Sequence, residues 1–191
     1  PGVPAQRGFP VVSCAVFRPS VADLAVPAMG AVLHTLNLRL HPDQLRFIMA
    51  DAEDGFLIAD GRLLAGLLPQ VNSLTDLRHI IVTGDTEGLA GLEKPWTPYG
   101  SFIAGHAPLA EFPEPNETAA AATCYTSGTT GNPKGVVYSH RTIFLHILAS
   151  MAANAFALSD RDTILLMQPM IHANAWGLSL ITISEPPSQN S

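Results

Sequence analysis

Over residues 1–20 the alternation of apolar and polar positions has no stable period, and Pro4, Pro10 and Pro19 punctuate it, so mostly loop is expected there. From Val21 the pattern becomes orderly. Residues 31–36 form a short apolar segment and residues 37–41 read as a turn. Pro42 then stands at the favoured first position of a helix, and Leu45, Ile48, Met49 and Ala52 recur on one helical face that should pack on a sheet. Gly55 is expected to end that helix. Residues 56–59 predict a buried strand, Asp60-Gly61 a turn, 62–71 a second short helix, 79–83 another strand, and Gly84-Asp85 a break. Short apolar strands alternating with helices predict an α/β fold, a largely parallel sheet flanked by helices rather than a sandwich.

Residues 86–117 carry Pro95, Pro98, Pro108, Pro113 and Pro115 without a sustained period. Order resumes on both sides, which predicts an excursion embedded between strands. Residues 118–125 then read as strand, 126–134 as loop and 135–138 as strand. Ser139 can cap a helix reaching about residue 157, with Ile143, Ile147 and Met151 as one stripe and Phe144 and Leu148 beside it. A turn at 159–162, a strand at 163–167 and a helix at 173–180 follow, and 184–191 form a polar, irregular tail.

With 191 residues, 47% of them hydrophobic, the chain can bury a sizeable core and is too apolar to be disordered. Charged residues make up 14%, against about 25% in ordinary globular domains, which suits the interior part of a larger molecule. A net charge of -6, lysines only at 94 and 134, and no arginine cluster exclude a nucleic-acid surface. Cys14 and Cys124 lie far apart without metal or redox spacing, and both are expected to be reduced thiols, Cys124 buried in its apolar run. No uninterrupted apolar 18-mer predicts a transmembrane helix, and residues 1–20 lack the basic and apolar regions of a signal peptide. The missing initiator methionine and the irregular tail create the expectation of a truncated or frame-altered piece of a longer chain.

The chemical signal is Tyr125-Thr126-Ser127-Gly128-Thr129-Thr130-Gly131-Asn132-Pro133-Lys134-Gly135. Small hydroxyl residues beside glycines bring side-chain and backbone donors close to phosphate oxygens, and Lys134 adds positive charge. The loop lacks the Gly-Lys-Ser/Thr ending of a Walker A sequence and the Gly-x-Gly-x-x-Gly dinucleotide pattern. An ordinary flexible Ser/Gly/Thr loop is the competing interpretation.

These residues resemble the phosphate-loop signature of the adenylate-forming (AMP-binding) superfamily. Residues 30–40 and 169–177, the second containing His172 and Trp176, resemble medium- and long-chain fatty-acid-CoA ligases in the same order, so that the likeness covers roughly 26–180. The resemblance implies a two-step reaction. A fatty-acid carboxylate attacks the α-phosphate of ATP, with Mg2+, to give acyl-AMP and pyrophosphate; the CoA thiol then takes the acyl group and AMP leaves.

It further implies that Thr126, Ser127, Gly128, Thr129, Thr130, Gly131 and Lys134 hold the β- and γ-phosphates. His172 would lie at the substrate carboxylate and α-phosphate as the catalytic candidate, and Trp176 at the mouth of the acyl tunnel. Packing along one helix face is the alternative for these two residues, four positions apart. Ile171 departs from the phenylalanine common before this histidine, which removes an aromatic surface from the pocket.

On this resemblance 1–20 is unmatched, 21–183 is a partial AMP-binding large domain, 184–191 is a tail, and the C-terminal lid that supplies the family's catalytic lysine is absent. The implied location is cytoplasmic, with peripheral membrane association as a variant, and a homodimer is the assembly to be tested. No protein metal ligand is assigned. His34 and Arg39 are expected to serve packing and surface pairing. His140 and Arg141 could approach nucleotide or simply cap and solvate the helix start. His140, His146 and His172 make no zinc set, and Ser127 and Ser139 lack the partners of a hydrolase triad. A relative with another acceptor and an inert binding remnant remain as competing functions.

Overall fold

In a computed structural model, residues 11–15, 20–109, 111–126, 132–152, 154–157 and 162 are described. The apolar runs become strands β1 (Val11–Ala15), β2 (Val32–Thr35), β3 (Phe56–Asp60), β4 (His79–Thr83), β5 (Trp96–Pro98), β6 (Ala120–Thr126) and β7 (Lys134–Ser139). Between them lie helices α1 (Ser20–Ala28), α2 (Pro42–Asp51), α3 (Gly61–Ala65), α4 (Leu68–Asn72), α5 (Tyr99–Ile103) and α6 (His140–Met151). All the strands join one sheet in the order β5-β4-β3-β1-β2-β6-β7. Every neighbouring pair is parallel except β6 with β7. The largely parallel α/β architecture expected from the sequence is therefore present.

Both faces of the sheet are covered. On one, Leu57 and Ala59 of β3 and Ile80 and Val82 of β4 pack with Leu45, Ile48 and Met49 of α2, Leu64 of α3 and Val71 of α4. On the other, Leu33 of β2 and Ala122 of β6 meet Ala22 and Val26 of α1, with Phe56, Ile58 and Ile143 at the margin. The period-two alternation along β3 thus feeds two layers, as a parallel sheet requires.

Several boundaries differ from the sequence expectation, each for a local reason. Residues 11–15, expected as loop, form the central strand β1, flanked by β3 and β2. Pro10 and Pro19 fall outside this strand and interrupt no ladder bond. Helix α1 carries Pro27 in its last turn, which masked its period. The helix expected over 62–71 divides into α3 and α4, because Pro69 begins a new turn rather than continuing the old one. Within 86–117 the chain adds edge strand β5, where Pro98 is tolerated, and short α5. Helix α6 stops at Met151, since Ala152 is extended (φ -62, ψ 145), short of residue 157.

The end of α2 matters most for the site. His41 caps its start, Nδ1 accepting from the Asp43 N–H while Gln44 Oε1 accepts from the His41 N–H. Gly55 does not terminate the helix. Glu53 does, at φ 54, with its N–H on Ala50 O (3.2 Å) and the Asp54 N–H on Met49 O (3.0 Å). This is a Schellman closure with a non-glycine residue in the left-handed position, and after it the buried Asp54 meets His34 of β2. The strand and helix expected at 163–167 and 173–180 lie outside the described residues.

Candidate functional site

The site is built at the carboxyl edge of the parallel strands. The chain leaving β2 returns across β1 to β3, whereas the chain leaving β6 turns the opposite way into β7. Divergence of connections from adjacent parallel strands is where open α/β sheets place ligands. Strand β6 is rich in buried alanine up to Ala122 and emerges at Tyr125 and Thr126. Its antiparallel partner begins at Lys134, and Thr126 pairs with Lys134 as the last rung of the ladder. A hydroxyl and an ammonium-bearing side chain, both exposed, therefore stand on the two stems of the sequence-predicted loop. Neither strand of this hairpin carries a carboxylate, a donor set suited to an anion.

Of the site residues expected from sequence, Thr126 and Lys134 are brought together. Ser127, Gly128, Thr129, Thr130 and Gly131, together with His172 and Trp176, lie outside the described residues.

Behind the stems is a polar cluster that sequence alone did not assemble. His34, on β2, is 0% exposed, and its Nδ1 lies 2.9 and 3.0 Å from the carboxylate oxygens of Asp54, itself 1% exposed. The ring of Tyr125 sits against His34, centroids 5.1 Å apart at a 42° tilt. The Tyr125 hydroxyl donates to Asp51 Oδ2 at 2.7 Å. Burial first, then the hydrogen bond to Asp51 and the charges of Asp51 and Asp54, push the Tyr125 phenol upward, so it remains a donor at neutral pH. Packing was the expected role of His34, and it is packed; its carboxylate partner twenty positions away had no sequence signal.

The other candidates resolve simply. Arg39 is exposed and its N–H joins Asn37 Oδ1 in an Asx turn. Ser139 caps α6 by accepting from the Thr142 N–H at 3.1 Å, as expected. Arg141 forms an ion pair with Glu117, whose carboxyl is thereby held below its ordinary value. His140 is half-buried, and desolvation lowers its pKa. The thiol of Cys124 is buried, as its apolar run predicted. Among the described residues no three His, Cys, Asp or Glu side chains are grouped to hold a metal ion, and no helix is long and apolar enough to cross a membrane.

Residues 18–184 match the AMP-binding enzyme family, and the chain belongs to it. It is 41% identical over 165 residues to a long-chain-fatty-acid–CoA ligase of Thermus thermophilus, covering 85% of this chain and 28% of that protein. It is 40% identical over 160 residues to a 3-methylmercaptopropionyl-CoA ligase of Ruegeria pomeroyi, covering 80% and 28%. The chain thus spans about 28% of the length of these curated relatives. In structure it resembles the N-terminal domain of FACL13 from Mycobacterium tuberculosis (TM-score 0.70, 22% identity, 92% of this chain and 42% of that one). It also resembles apo MatB from Rhodopseudomonas palustris (TM-score 0.72, 20% identity, 91% and 33%). At these identities the structural likeness speaks for the fold.

Proposed function

We propose that this chain supplies the phosphate-holding part of an ATP-dependent fatty-acid-CoA ligase. The observation that carries the reading is the pairing of Thr126 with Lys134 at the ligand edge of the sheet, within a sequence that matches the family. In the proposed reaction a carboxylate oxygen bonds to the α-phosphorus of ATP as the bond to the β-phosphate bridging oxygen breaks, releasing pyrophosphate. The CoA sulfur, having lost its proton, then attacks the acyl carbon, and AMP departs with the electron pair of the acyl–oxygen bond.

In the first step Lys134 offsets negative charge on the β- and γ-phosphates and Thr126 gives a hydroxyl hydrogen bond, holding the departing pyrophosphate in line. Ser127, Gly128, Thr129, Thr130 and Gly131 belong to the same loop by sequence. His172 is proposed at the reacting carboxylate and Trp176 at the acyl entrance, on the family resemblance. Magnesium, bound with the nucleotide, would supply further charge neutralisation; the carboxylate-free hairpin fits the phosphates and assigns the ion no protein ligand. ATP and CoA as substrates support a cytoplasmic location.

Nearly equal identity to the long-chain and the 3-methylmercaptopropionyl enzymes favours a second reading, an acyl-CoA ligase for a short sulfur-bearing acid. Titration calorimetry with Mg-ATP tests the common core of both. The wild-type chain should bind, and Lys134→Ala should weaken binding about tenfold, the value of one charge-assisted contact. Absence of binding, or equal affinity in the variant, would favour an inert structural role.

A further inference from the structure

The tyrosine that precedes the phosphate loop and the glycine that follows its lysine are explained by each other. Tyr125 and Gly135 are cross-strand partners, one rung inward from Thr126 and Lys134. Cross-strand partners project to the same face of a sheet. At 135 that face is filled by the tyrosine ring: an added Cβ would lie 3.0 Å from Tyr125 Cζ, 3.2 Å from its hydroxyl oxygen and 3.3 Å from Cε2. Gly135 has no positive φ, so the requirement is for space rather than for backbone freedom. The ring continues to His34, itself fixed by the buried Asp54, and its hydroxyl reaches Asp51 in the final turn of α2. Asp51 and Asp54 are presented by the two sides of the same helix closure at Glu53.

We propose that Tyr125 is a positioning residue for phosphate binding, tying both stems of the loop to the end of α2 through its hydroxyl bond to Asp51 and its seat on Gly135. The inference rests on the phosphate-binding reading given above and adds the residues that set its geometry. Tyr125 touches no phosphate. It acts by fixing where Thr126 and Lys134, its chain neighbour and the neighbour of its cross-strand partner, stand relative to each other. Without the hydroxyl bond the hairpin end can pivot about the remaining ladder, and donors misplaced by an ångström lose most of their value to a bound anion.

The test uses the 191-residue chain with magnesium tripolyphosphate as the calorimetric probe, and thermal melting followed by circular dichroism as the control. Tyr125→Phe keeps the ring and removes only the hydroxyl, whereas Asp51→Ala removes the exposed acceptor. Each should weaken tripolyphosphate binding about tenfold with little change in melting temperature, and the double variant should be no weaker than either single one, because both remove the same bond. Gly135→Ala, which displaces the ring, should show a loss at least as large. If wild type binds and Lys134→Ala weakens it while Tyr125→Phe does not, the phosphate site stands and the positioning role falls. Losses that multiply in the double variant also overturn it. If wild type does not bind tripolyphosphate, both readings fall together.

Discussion

Asp23 is the residue most out of keeping with its surroundings. It is 6% exposed, and among the described residues neither of its carboxylate oxygens has a hydrogen-bond partner. Burial pushes its pKa up from 3.8 to about 7. Because the folded value lies above the unfolded one, its contribution favours the fold fully below pH 4 and is lost as pH rises through 7. The urea midpoint of the wild-type chain should therefore fall between pH 4 and pH 8. Asp23→Asn should flatten that dependence and be the more stable form at pH 8, by up to about 4 kcal/mol from a three-unit shift; a parallel pH profile in the two proteins would remove Asp23 as its source. Asp54 presents the opposite case, a buried carboxylate fully engaged. Asp54→Ala strands the His34 ring and should cost about 3 kcal/mol or more in denaturant unfolding. At this scale the sequence is informative where residue identity alone suggests a role, as in the hydroxyl and the ammonium group that Thr126 and Lys134 bring to the paired stems. It was silent on His34–Asp54 and Tyr125–Asp51, because those pairings join positions 20 and 74 apart and arise only when α2 folds back beneath the sheet.

At the scale of elements, strands and capped helices were legible because short-range physics determines them. Pro42 and the apolar face of α2, Ser139 before α6, and the apolar run of β3 all identify their elements directly. What escaped were elements whose local signal is contradicted: α1 with Pro27, and β1, five residues bracketed by prolines but stabilised on both edges by neighbours distant in sequence. Gly55 is the helix stop that the sequence offers after α2, yet Glu53 occupies the left-handed position. Glu53→Gly should therefore raise stability by about 0.5–1 kcal/mol, relief of left-handed strain outweighing the added chain entropy of glycine, seen as a melting temperature higher by a few degrees. The reverse holds at the start of α3. A Cβ at Gly61 would fall 1.7 Å from the Asp85 carbonyl oxygen, a backbone atom that cannot rotate away. Gly61→Ala should lose more than about 3 kcal/mol, enough to leave little soluble folded chain, whereas Gly100→Ala, which meets nothing within 4 Å, should be nearly neutral.

For the whole molecule, the two core layers account for the fold, but α6 stands apart from them. Phe144 (61% exposed), Leu145, Leu148 and Met151 all remain open to solvent, and Val21 and Leu24 of neighbouring α1 are exposed with them. In sequence Ile143, Ile147 and Met151 form one stripe with Phe144 and Leu148 beside it; among the described residues Ile143 alone of these packs against the core. An apolar surface of this kind favours association and dye binding. Sedimentation of the chain should show concentration-dependent self-association, relieved by Phe144→Glu with Leu148→Glu, while the melting temperature stays within a few degrees; a monomer at every concentration would contradict it.

The antiparallel β6–β7 pair also has a consequence in time. Its last rung joins positions eight apart, whereas central strand β1 must find β2 and β3, 21 and 44 positions further along. Hairpins close in about 1–10 μs, and pairings between distant segments are slower because more chain must be ordered first. In refolding, the two stems should meet before the sheet beneath them exists, and the bond from Tyr125 to Asp51 should form only when α2 docks. The proposed anion site would then be assembled late from parts that were early.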